Sequence, residues 1–278
     1  MNAEPLQALQ DTAPTPGVPK PDPILVIEGA QRSFGGLRAV AVEHLEVQRG
    51  TITALIGPNG AGKTTLFNLL TGFDRADSGS WRFDGRPLQS RRAHQVARAG
   101  MVRTFQLTKA LARLSVLDNM LLAAPGQRGE HFAGALLPTW RPQEARNRQQ
   151  ARTLLSRFGL AAMEHDFAGS LSGGQRKLLE MARALMAEPR LLMLDEPMAG
   201  VNPALRQSLL AHIDQVRRAG ATVVFIEHDM DVVMGISDWV VVMSQGRVIA
   251  EGPPAAVGSD PEVINAYLGR HHGEAAGG

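Results

Sequence analysis

The chain has 278 residues, 44% of them hydrophobic, with 29 Lys+Arg against 27 Asp+Glu. That length holds one large domain, or a core domain with a smaller subdomain. A formal charge of only +2, with no dense basic run interleaved with aromatics, gives no reason to expect nucleic acid as a partner. The absence of cysteine excludes disulfides and thiolate metal sites and fits a reducing compartment.

Residues 1–22 hold Pro5, Pro14, Pro16, Pro19 and Pro21 and few large apolar groups. A disordered leader is expected there; it lacks the basic start and apolar stretch of a signal peptide. Strands are expected at 24–28, near Glu46, at 51–56 and at 81–83, with a helix over 63–70. The middle third reads as helical at 116–123 and 143–158, joined by a Gly-rich connection over 125–142 whose length leaves room for a lid or docking surface. Within the second helix Ala151, Leu154, Leu155 and Phe158 fall at i, i+3, i+4 and i+7, a stripe read as core packing. After Ser170 strands are expected at 191–194, 222–227 and 239–243, with a helix at 203–218. Ser244-Gln245-Gly246-Arg247 reads as a turn into a strand at 248–251. Strand–helix alternation of this kind implies an α/β core with a mostly parallel sheet, and the helical middle, about 107–170, reads as an insertion. The folded domain is expected to span 23–270, with a flexible tail over 271–278. No stretch reaches the roughly 18 apolar residues that cross a bilayer, so a membrane role has to come through a partner.

Gly57-Pro58-Asn59-Gly60-Ala61-Gly62-Lys63-Thr64 matches G-x-x-x-x-G-K-[ST] between a predicted strand and a predicted helix. Glycines let successive N–H groups turn inward on phosphates, and the helix N-terminus adds positive dipole. Lys63 offers a charge to the β/γ-phosphates and Thr64 a hydroxyl to Mg²⁺; Thr65 is counted with the loop as nucleotide-binding. Residues 191–194 lead an apolar strand into Asp195 and Glu196. Asp195 is expected to hold Mg²⁺ through its water shell, and Glu196 to orient and activate the attacking water. Leu171-Ser172-Gly173-Gly174-Gln175 opens a further helix. Ser172 with Gln175 is a capping box, which accounts neither for the paired glycines nor for the motif's place just before the carboxylate strand.

With that last motif the chain resembles the ATP-binding cassette (ABC) family, whose signature is L-S-G-G-Q. The resemblance implies a P-loop ATPase core with an inserted helical subdomain and a small antiparallel β subdomain. It also implies head-to-tail pairing of two cassettes, with ATP held between one phosphate loop and the other's signature. Ser172, Gly173, Gly174 and Gln175 would then serve the partner's nucleotide. Gln106 falls at the glutamine that touches Mg²⁺ or water and senses the permease. His228 falls at the histidine that contacts the γ-phosphate, and Phe34 at the aromatic that stacks on adenine. Catalytic roles are thus expected for Glu196, His228 and Gln106, and metal contacts for Thr64, Gln106 and Asp195. Where most cassettes carry S-x-L-D, this chain reads Ala199-Gly200-Val201-Asn202-Pro203. Asn202 either alters communication between cassettes or is simply a helix cap followed by Pro203.

The A-G-[LV]-N-P run resembles the branched-chain amino acid importer subgroup. So do Phe34-Gly35-Gly36-Leu37, Arg103-Thr104-Phe105-Gln106, Ile226-Glu227-His228-Asp229-Met230 and Ile264-Asn265-Ala266-Tyr267-Leu268-Gly269. The implied partners are a second cassette, identical or paralogous, two membrane permeases and, indirectly, a periplasmic solute-binding protein. The implied location is the cytoplasmic face of the inner membrane. Importers of urea, amides or aromatic acids share these runs, and a soluble ABC ATPase acting on ribosomes or DNA stays a more distant alternative.

Overall fold

The computed structural model describes residues 7, 9, 11–104, 112–125 and 141–268. Gln106, nearly all of the 125–142 connection and the 271–278 tail lie outside them. In chain order the strands are β1 (Pro23–Phe34), β2 (Leu37–Gln48), β3 (Ile52–Ile56), β4 (Ser78–Phe83), β5 (Arg86–Pro87), β6 (Met101–Arg103), β7 (Leu191–Asp195), β8 (Thr222–Ile226), β9 (Trp239–Ser244) and β10 (Arg247–Gly252). The described helices are α1 (Lys63–Leu70), α2 (Ala93–Arg98), α3 (Val116–Leu122), α4 (Arg141–Arg157), α5 (Gly173–Met186), α6 (Pro203–Arg218), α7 (Met230–Ile236), α8 (Pro254–Gly258) and α9 (Pro261–Leu268).

Six strands form one sheet in the order β10-β9-β3-β8-β7-β6, parallel except for the β9–β10 hairpin. The turn of that hairpin has positive φ at Gln245 (49°) and Gly246 (81°), the backbone that matches strand twist in a two-residue connection. The other sheet is antiparallel, β2-β1-β4-β5, as the small β subdomain requires.

Both faces of the sheet's inner strands are buried, which is why β3, β7, β8 and β9 are mainly apolar instead of alternating. Ile52, Ala54, Ile56, Leu192, Leu194, Val223, Phe225, Val240 and Val242 face one core, shared with the helices; Leu55, Leu191, Met193, Val224, Ile226 and Val241 face the other, shared with the β subdomain and α1. The expected stripe on α4 is confirmed as packing: Ala151, Leu155 and Phe158 are buried in the helical-side core and Leu154 lies against it. The helix α5 packs on α3 and α4, so the helical layer continues past residue 170.

The expected disordered leader is corrected over its second half. The carboxylate of Glu251 accepts hydrogen bonds from the N–H groups of Gly17 (2.6 Å) and Val18 (3.2 Å), from Nζ of Lys20 (2.9 Å) and from Nε1 of Trp239 (2.8 Å). The Lys20 ammonium also sits over the Trp239 ring. Prolines keep this segment from helix and sheet, yet one buried acid in β10 gathers its donors and straps it to the last hairpin.

Candidate active site

Strand register fixes the site. Ile226, the last residue of β8, pairs with Leu55 of β3 on one side and Asp195 of β7 on the other. Three strand ends therefore finish level, delivering the 57–64 loop, the Asp195–Glu196 pair and His228 to one edge of the sheet.

The loop's glycines are required by close backbone approach. Gly57 (φ 143°) would place a Cβ 2.0 Å from the Met243 carbonyl oxygen, and Gly62 (φ 98°) one 2.2 Å from that of Ala39. Lys63 Nζ donates to the carbonyls of Gly57 (2.6 Å) and Pro58 (3.0 Å). Thr64, Asn59 and Gly60 are exposed at the rim, Thr65 is half-buried, and Ala61 packs beneath.

Asp195 ends β7 almost fully buried. Its Oδ2 accepts from Nη2 of Arg103 at 2.5 Å, and Nη1 of Arg103 donates to Oδ1 of Asn68 at 2.6 Å. Oδ1 of Asp195 is buried with no hydrogen-bond partner among the described residues. A hard cation's hydration shell matches such an unclaimed carboxylate oxygen, so the residues present fit Mg²⁺. Beside it opens a cleft of about 410 Å³ lined by Thr104, Lys177, Glu180, Asp195, Glu196 and Pro197, among others.

Glu196 has φ of 48°, a conformation that costs a non-glycine residue about 1–3 kcal/mol and persists where the surroundings hold it. Its N–H donates to the carbonyl of Ile226 (3.0 Å), and its own carbonyl accepts from Lys177 Nζ (3.1 Å) and Ala199 N–H (3.2 Å). So held, Oε1 of Glu196 lies 2.8 Å from Nε2 of His228. Against a carboxylate acceptor, that nitrogen carries the ring hydrogen.

The Ser172–Gln175 capping box is present in both directions: Gln175 N–H donates to Ser172 Oγ (3.2 Å) and Ser172 N–H to Gln175 Oε1 (2.8 Å). The two glycines differ. A Cβ on Gly174 would meet Leu205 at 2.1 Å, whereas one on Gly173 would meet nothing within 4 Å among the described residues. Asn202 caps α6, its Oδ1 accepting from Leu205 N–H at 2.9 Å with Pro203 at the first helical position. Phe34 stands half exposed at the end of β1, with the Arg32 guanidinium 4.5 Å from its ring centre.

Arg103, Asn68, Lys177 and Glu227 are site residues that sequence reasoning missed as such. Arg103 and Glu227 lie inside runs already singled out, but nothing local reveals their partners.

The family model for "ABC transporter" matches residues 42–199, and that for "Branched-chain amino acid ATP-binding cassette transporter" matches residues 247–273. The chain is 42% identical over 250 residues to the high-affinity branched-chain amino acid transport ATP-binding protein BraF of Pseudomonas aeruginosa, covering 89% of this chain and 98% of that one. It is 39% identical over 251 residues to a probable LivG protein of Archaeoglobus fulgidus described by the same transport role, covering 90% and 97%. Among solved structures, the ADP conformation of MJ1267, an ATP-binding cassette of an ABC transporter, superposes with a TM-score of 0.77 at 35% identity, covering 89% of this chain and 99% of that one.

Proposed function

Because the chain belongs to the ABC transporter family, whose ATP-binding subunits hydrolyse ATP and work with membrane permease components, we propose that it drives import of branched-chain amino acids. The single observation that supports the hydrolytic half best is the Glu196–His228 contact, 2.8 Å long, at the sheet edge that also bears the phosphate loop and Asp195. Glu196 orients and deprotonates the attacking water; His228 fixes that carboxylate and reaches the γ-phosphate. Lys63 exchanges its loop carbonyls for phosphate oxygens. Bound Mg²⁺ would neutralise phosphate charge, with Thr64 and Asp195 holding it and Arg103 fixing the carboxylate that faces it. Gln106 is assigned to the same shell by its place in the sequence.

Gly173 supports a site shared between two cassettes. Among the described residues a Cβ on Gly173 would meet nothing within 4 Å, which leaves room for the γ-phosphate of a nucleotide on a second cassette. Phe34 supports adenine stacking, since Arg32 covers its ring while about half of the residue stays exposed. The expected assembly is two cassettes with two permeases, fed by a solute-binding protein. No described helix is long and apolar enough to cross a membrane; the location proposed from the family resemblance is peripheral, on the cytoplasmic side.

The branched-chain solute rests on the relatives' roles and on the 247–273 match. The test is affinity purification of tagged chain from detergent-solubilised membranes, with mass spectrometry. Two permeases and a second cassette would support import; ribosomal or DNA-repair proteins in their place would overturn it. Isotope-labelled leucine uptake in a deletion strain then separates branched-chain amino acids from urea, amides and aromatic acids.

A further inference from the structure

Glu227 is only 5% exposed, and no Lys, Arg or His side chain pairs with it among the described residues. A buried carboxylate without a cation is costly unless hydrogen bonds satisfy it. Both of its oxygens are used on backbone. Oε1 accepts from the N–H of Met198 at 2.8 Å, and Oε2 from the N–H of His228 at 3.2 Å.

These two N–H groups belong to the two segments whose side chains meet in the site. Met198 stands two residues after Glu196, with Pro197 between them fixing φ. We propose that Glu227 is a positioning residue that sets the distance between Glu196 and His228. The Glu196-Pro197-Met198 turn is attached to the end of β8 at two points. The Glu196 N–H binds the Ile226 carbonyl, and the Met198 N–H binds Glu227. Two attachments determine the direction in which the Glu196 side chain leaves the backbone, and the second oxygen of the same carboxylate registers the backbone of His228. The left-handed conformation of Glu196 is then held by its neighbours. Glutamine cannot replace this arrangement: it keeps one acceptor oxygen and turns an NH₂ donor toward the other N–H.

This inference rests on the catalytic reading of Glu196 and His228, so the experiment includes both. ATP turnover, ATP affinity and melting temperature are measured for full-length wild type, Glu227→Gln, Glu227→Asp and Glu196→Gln. Turnover is expressed per nucleotide-binding site, so that a smaller folded fraction does not register. The expected result is that kcat of Glu227→Gln falls on the order of ten- to a hundredfold, as for sub-ångström to ångström misplacement of a reacting group. ATP affinity and KM should stay within about twofold. If Glu227→Gln does not fold, Glu227→Asp is decisive, because it keeps the charge but is one methylene short of spanning both N–H groups. Wild-type kcat per site in a folded Glu227 variant, or a parallel loss of ATP affinity, would overturn the proposal. Turnover retained by Glu196→Gln would instead remove the catalytic reading beneath it.

Discussion

Arg103 donates to Asp195 at 2.5 Å, and the two side chains are only 9% and 3% exposed. Its other terminal nitrogen, Nη1, reaches Asn68 on the helix that follows the phosphate loop. One guanidinium thus joins the strand leading to Gln106, the helix behind Lys63 and the carboxylate assigned to the metal. Removing one member of a buried pair strands the other, at a cost of about 3–5 kcal/mol. Arg103→Met should lose that much in urea unfolding. The Arg103→Met/Asp195→Leu double variant should lose clearly less than the sum of its single variants. Additive losses would show that the pair is not coupled.

The glycines of the two motifs should respond oppositely to alanine. Gly57→Ala drives a Cβ into the Met243 carbonyl and should cost about 2 kcal/mol or more, with loss of ATP binding. Gly173→Ala meets open space and should change stability by no more than about 0.5 kcal/mol while lowering turnover sharply. Thermal melts beside turnover assays separate the two, and full activity in Gly173→Ala would remove the shared-site reading.

The strap at residues 17–20 depends more on Glu251 than on Lys20. Glu251→Leu leaves the Gly17 and Trp239 donors without their acceptor, at about 1–3 kcal/mol for each left unsatisfied, and leaves the Val18 N–H with only the Thr15 carbonyl and Lys20 Nζ with only the Val18 carbonyl. Lys20→Met leaves the carboxylate three of its four donors and should cost less. Limited proteolysis should cut near residue 20 faster in Glu251→Leu than in Lys20→Met; the reverse order would contradict the network.

His212 provides the pH prediction. Burial, with its ring 4.1 Å from that of Phe158, holds its pKa below the ordinary 6.5; Gln215 raises it and Arg157 lowers it further. The native ring therefore stays neutral where the unfolded one takes up a proton, so unfolding binds protons and stability falls with pH. The contribution is fully present above 6.5 and is lost as pH falls from there through the lower folded value. The melting temperature of wild type should drop more steeply than that of His212→Gln across this window. Parallel curves would show that His212 does not contribute.

Motifs were legible in the sequence wherever chemistry is local. The phosphate loop, the Asp195–Glu196 strand end, the Ser172 cap and the β9–β10 turn each need only neighbours a few residues away, and the structure places each where the spacing puts it. What escaped was set by distant partners. Arg103 meets Asp195 across 92 positions, and Glu227 meets Met198 across 29. Lys20 meets Glu251 across 231, so a proline-rich leader that lacks an apolar pattern reads as disorder although a buried acid organises it. Asn202 shows the opposite case: its role as a helix cap is local and is seen in the Leu205 contact, although an aspartate would cap equally well and the cap does not explain the replacement.

The most direct measurement is ATP binding and turnover by Glu196→Gln beside wild type under saturating Mg-ATP. The side chain keeps its size, and Gln can still accept a hydrogen bond from His228, but it cannot act as a base. Binding should be retained, with turnover reduced roughly a hundredfold or more. Wild-type turnover in the variant would contradict the assignment of hydrolysis to the Glu196–His228 pair.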